Sequence, residues 1–190
     1  MDQTQRESLI DNDRTQLPLH CLTIQQCVSS CDFRHSLPRS GGVENVVVDN
    51  VYFKRANGAA HIKTGQSRGG YVNNVVFSNL VAEGPLDAGI LVDAFYGSRN
   101  PSCPTSWNPK PPVMSNYTFQ GIDGTKGVIS KRGKAFHLVG LPTEPITGVT
   151  IKDVKFQAGS GWDCTAVSGT ADKGSVTPWP PCSQITPVAV

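Results

Sequence analysis

Four stretches of this chain share one pattern, and an internal repeat restricts the possible folds more than any composition does. They are VENVVVDNVYF (43–53), YVNNVVFSNLV (71–81), MSNYTFQGIDG (114–124) and ITGVTIKDVKF (146–156). Each sets a small or amide residue ahead of apolar residues at alternating positions, then Asn, Asp or Gly, then another apolar residue. HCLTIQQCV (20–28) reads as a fifth, poorer copy. With Cys21, Asn45, Asn74, Asn116 and Gly148 as equivalents, the steps are 24, 29, 42 and 32 residues.

Alternation with a period of two specifies a strand, and the Asn, Asp or Gly that interrupts it specifies a sharp bend. A second short strand follows each repeat: AAHIKT, AGILVDAF, AFHLVG and CTAVSG. Strand, bend and strand make one rung, which cannot bury its own apolar face and must stack on neighbours. Leucine-rich repeats would need regular leucines, and WD-type blades a Trp-Asp pair in each repeat; this chain has no regular leucines and one Trp-Asp, at 162–163. The predicted class is all-β, a right-handed single-stranded parallel β-helix. The stretch YGSRNPSCPTSWNPKPPV (96–113), with five prolines, reads as a loop thrown out of one rung, because proline cannot sit in a ladder.

Composition agrees and narrows the function classes. Charged residues make up only 17% while Gly reaches 19 and Pro 14, which suits strands and turns over helices. A net charge of +2 is too mild for a nucleic-acid binder, and no apolar run is long enough for a membrane helix. Neither nucleic acid nor a membrane is therefore expected as a partner. The polar start, MDQTQRESLIDNDRTQLPLH, carries no secretory signal. Six cysteines and one glycosylation sequon, Asn116-Tyr117-Thr118, point instead to an oxidising compartment. In the tail, Cys164 and Cys182 flank a Gly/Pro-rich segment; they are either a loop-closing pair or two free thiols.

With the repeats placed, HIKTGQSRGGYVNNVVFSNL (61–80) resembles the Arg-Ile-Lys-Thr … Gly-Arg-Gly-Gly-Tyr-Val segment of glycoside hydrolase family 28, the polygalacturonases and related pectin hydrolases. SGGVENVVVDNVYF (40–53) is similar to the family segment just before it, and the tail around Cys164 and Cys182 to the family's C-terminal disulfide cap. The resemblance runs from about residue 40 to 184, the C-terminal part of such a protein. It implies inverting hydrolysis of α-1,4-galacturonan or a related wall polysaccharide, without metal or cofactor, in the extracellular space or cell wall. One carboxylic acid protonates the leaving oxygen while other carboxylates activate water on the opposite face. It also implies a pectin-lyase-like solenoid and an acidic polysaccharide as partner, with His61, Lys63, Arg68 and Tyr71 as substrate-binding candidates and a Cys164–Cys182 disulfide; a glycan on Asn116 is expected from the sequon alone.

The chain also departs from that pattern. It contains no Asn-Thr-Asp and no adjacent Asp-Asp, so no catalytic residue is assigned. Asp11 and Asp13 lie outside any strand-like repeat, Asp87 and Asp93 do not form an acid/base pair by spacing, and His35 lacks the glycines of the family's Gly-His-Gly. The family arginine is replaced by His61, while Lys63 keeps the lysine; in an extended strand the two share a face. A histidine there is expected to be partly charged near pH 5, giving a weakened, pH-dependent clamp for a substrate carboxylate. The basic cluster Lys126, Lys131, Arg132 and Lys134 reads as a solvated face. Residues 1–40 form a divergent segment, at most one damaged rung, and 41–190 the C-terminal rungs with a capped tail. Three readings follow: a family 28 hydrolase, a non-catalytic polysaccharide-binding solenoid, or a truncated product that self-associates through an uncapped N-terminal rung. Calcium-dependent pectate lyases share the solenoid, but no carboxylate cluster for the metal is visible.

Overall fold

The computed structural model describes residues 23–25, 41–66, 69–95, 110–157, 161–179 and 181–189. Its strands are β1 (Thr23–Gln25), β2 (Gly42–Asp49), β3 (Tyr52–Ala56), β4 (Ala60–Lys63), β5 (Tyr71–Leu86), β6 (Ile90–Asp93) and β7 (Val113–Gly124), then β8 (Gly127–Ile129), β9 (Phe136–Val139), β10 (Ile146–Phe156), β11 (Trp162–Thr165), β12 (Val167–Asp172), β13 (Val176–Thr177) and β14 (Ile185–Val188). A five-stranded sheet runs β1-β4-β6-β9-β11, and a nine-stranded sheet runs β14-β12-β10-β7-β5-β2, with β13 on β10 and β3 and β8 on β5. Every pairing between these strands is parallel. The chain visits the two sheets alternately, which makes a parallel β-helix, right-handed as parallel crossovers are.

The repeat positions explain the bends. Asn45, Asn74, Asn116 and Gly148, equivalent in the sequence, all adopt a left-handed backbone, with φ of 56°, 53°, 60° and 68°. A second left-handed column, Asn50, Asn79, Gly121 and Asp153, follows at the same steps and folds each long strand into two faces. Asn and Gly suit this conformation because it strains other side chains by about 1–2 kcal/mol. Amide contacts between rungs offset what strain remains: Asn74 Nδ2 donates to Asn45 Oδ1 (2.7 Å), and Asn79 Nδ2 to Asp49 Oδ1 (2.8 Å).

Between the columns, inward residues stack in register. Val75, Tyr117 and Val149 form one file, and Phe77, Phe119 and Ile151 the next, all at most 1% exposed. Phe77 and Phe119 lie nearly parallel, with centroids 5.6 Å apart. The Tyr117 hydroxyl, deep in this core, donates to Val72 O at 3.0 Å, so its polar atom is satisfied. Ile62, Val92 and Leu138 close the interior from the five-stranded sheet. At the tail, Trp162 stacks on Phe136 at 3.9 Å and donates through Nε1 to Pro178 O, and Cys164 is bonded to Cys182. Among the described residues β2 ends the nine-stranded order; its Val43 and Val46 are only half-buried where Val72 and Val75 of the next rung are fully buried.

Two segments sit differently from the sequence reading. Thr23–Gln25 pairs with β4 (Thr23 opposite His61, Gln25 opposite Lys63), so HCLTIQQCV contributes a second strand of its rung, not a copy of VENVVVDNV. Three alternating residues are too few to distinguish the two strand types. The second strand of the fourth rung is Trp162–Thr165, and CTAVSG straddles its end and the start of β12. Cys21, Cys27, Cys31 and Cys103 lie outside the described residues, as do Asp11, Asp13, His35 and most of the 96–113 loop.

Candidate functional site

In β4, β6 and β9, Ile62, Val92 and Leu138 point into the core, so the residues flanking each point outward. Register then sets two rows across the outer face. His61, Leu91, His137 and Asp163 form one; Lys63, Asp93, Val139 and Thr165 form the other. His61 and Lys63 therefore do share a face, with Asp93 on the strand next to Lys63.

The character of His61 differs from expectation. It is 4% exposed, and both ring nitrogens are buried with no hydrogen-bond partner among the described residues. The ring lies over the Gly58 turn, where a side-chain Cβ would sit 2.8 Å from Nε2. Burial, then the Lys63 ammonium, then His137 lower its pKa from 6.5 to about 4. The expectation of a partly charged imidazole near pH 5 is thus corrected. Alternation revealed the face but not the cover over it, and a charge beside Lys63 is disfavoured twice over.

A stability consequence follows. Between pH 6.5 and about 4 the unfolded chain takes up a proton that folded His61 does not. Stability from this residue is complete above pH 6.5 and declines as pH falls toward 4. Relative to His61→Gln, the wild type should lose on the order of 2 kcal/mol across that interval in urea titrations. Parallel pH profiles of the two proteins would contradict a neutral, buried His61.

Two residues not singled out from sequence join this face. His137 Nδ1 lies 2.9 Å from Asp163 Oδ2, with side-chain exposures of 25% and 45%. They are 26 residues apart, and only the pairing of β9 with β11 makes them neighbours. Aligning HIK, LVD and HLV as one strand type is the signal that finds His137. Asp93 turns one carboxylate oxygen back to accept the Phe95 N–H at 2.8 Å. Among the described residues no three of His, Cys, Asp and Glu converge as a metal site would need.

The remaining candidates are dispersed. Tyr71 opens β5 in the other sheet, its ring lying against Gly42, where a Cβ would fall 2.3 Å away. Arg68 lies outside the described residues. Asn116 is exposed, but its side-chain amide donates to Asn73 Oδ1 at 2.9 Å. Lys126, Lys131, Arg132 and Lys134 sit on the turns around β8 and before β9.

Comparison with known proteins is consistent with this architecture. The sequence profile of the family described as Glycosyl hydrolases family 28 matches residues 37–175. A probable polygalacturonase of Vitis vinifera is 29% identical over 152 residues, 77% of this chain and 28% of that protein. Endo-polygalacturonases of Pectobacterium carotovorum subsp. carotovorum and Pectobacterium parmentieri are 31% and 30% identical over 128 residues, 67% of this chain and 28% of each. The chain thus spans just over a quarter of the length of these relatives. No solved structure matches it.

Proposed function

This chain belongs to family 28 of the glycosyl hydrolases, and on that premise we propose that it supplies a pectin-binding face for inverting hydrolysis of α-1,4-galacturonan or a related acidic wall polysaccharide. The observation that carries the reading is the outward pair His61 and Lys63 on β4, at the position of the family's Arg-Ile-Lys. In this reading Lys63 meets a uronate carboxylate with a charge-assisted hydrogen bond. His61, buried and held neutral beside it, leaves Lys63 as the positive charge of the pair.

The second reading is binding without catalysis, through the same Lys63 face. An extracellular setting, a glycan on Asn116, contributions from Arg68 and Tyr71, the division at residue 40 and self-association along the β2 edge belong to the same proposal.

One experiment sorts these readings. Retention of the chain on polygalacturonate gels is expected, and Lys63→Ala should weaken it by about 1–3 kcal/mol, roughly tenfold in affinity or more. Release of reducing ends would mark hydrolysis, retention alone would mark binding, and an unsaturated product absorbing in the near ultraviolet would mark a lyase. Equal retention of Lys63→Ala and wild type would demote Lys63 to a surface lysine.

A further inference from the structure

We propose that His137 and Asp163 form a second glycan-binding subsite on the same outer face, taking a hydroxyl or carboxylate of an acidic sugar whose chain also passes Lys63. The inference rests on the reading of Lys63 given above. His61, Leu91, His137 and Asp163 occupy one register position on four successive strands. At about 4.8 Å per strand, His137 stands roughly 10 Å from His61 along the solenoid, with Asp163 one strand further. A polymer lying across the strands can pass Lys63 and then His137, both half-buried.

The chemistry of the pair points outward. An ionised carboxylate only accepts, so His137 Nδ1 donates to Asp163 Oδ2 and Nε2 is left as the working end of the ring. The carboxylate fixes tautomer and ring orientation, as it does wherever an imidazole must present one nitrogen to a ligand. At these exposures the pair contributes little to stability, so a purely structural strut is a weak account of it. Half-buried Leu91 lies between the two histidines, and Val139 beside His137 in the neighbouring row, an apolar floor for the C–H face of a sugar.

The test follows the imidazole resonances of the full chain during titration with an oligogalacturonide long enough to span both centres. The His137 signals should shift along the same saturation curve as Lys63-dependent binding. His137→Gln should weaken binding roughly fivefold to tenfold with an unchanged melting temperature, and Asp163→Asn by a smaller factor. If binding saturates and is lost in Lys63→Ala while His137 stays silent and His137→Gln binds normally, the second subsite is overturned and the Lys63 reading survives. If the wild-type chain shows no binding and no shift, both fall. The wild-type resonance decides the matter even where a variant fails to fold.

Discussion

Replacing Phe119 by alanine is expected to lower the unfolding free energy by about 3–5 kcal/mol. Phe119 is fully buried in β7, in register between Phe77 on β5 and Ile151 on β10. Its ring stacks on Phe77 at 5.6 Å and an interplanar angle of 12°. Truncation leaves a ring-sized void that the backbone cannot close, because β7 is held by ladders on both sides. In a stack where each rung contacts only its neighbours, a fault at β7 also weakens the coupling of the rungs before it to those after it. Urea denaturation should show the lower midpoint together with a shallower slope, as the two halves begin to unfold separately. A loss below about 1 kcal/mol would mean that the aromatic file is not packed as described.

That file was legible in the sequence, and the reason is physical. Asn45, Asn74, Asn116 and Gly148 stand where the backbone turns left-handed, a conformation few residue types tolerate, so composition marks the bends directly. Between bends, alternation marks the inward residues. The outer face was only half legible. That His61 and Lys63 point the same way follows from strand geometry, but the cover over His61 depends on the close turn at Gly58 and on neighbouring rungs. His137 and Asp163 were missed because no local pattern links residues 26 apart; the register of β9 on β11 creates the pair. Thr23–Gln25 is illegible for a related reason: a three-residue strand carries too little pattern to fix its rung position.

Removing the cystine by Cys164→Ala with Cys182→Ala is expected to cost about 3 kcal/mol, the chain-entropy value for a loop of this size, here 18 residues of separation. Where that loss appears matters as much as its size. Cys164 lies in β11, whose Trp162 stacks on Phe136 and donates to Pro178 O, and Cys182 precedes β14, which pairs with β12. The bond therefore ties the last rung of the five-stranded sheet to the segment that closes the nine-stranded one. In a one-dimensional stack the loss should stay local: amide exchange should accelerate in β11, β12 and β14 while β5 and β7 keep their protection. Uniform acceleration through every strand would show that the rungs unfold as one unit and that the tail is no separate cap. Because Asp163 precedes Cys164 in the same strand, a loosened β11 should also release His137 from its carboxylate. A cystine-free chain that keeps Lys63-dependent retention but loses the His137 response would connect the cap to the outer face through β11.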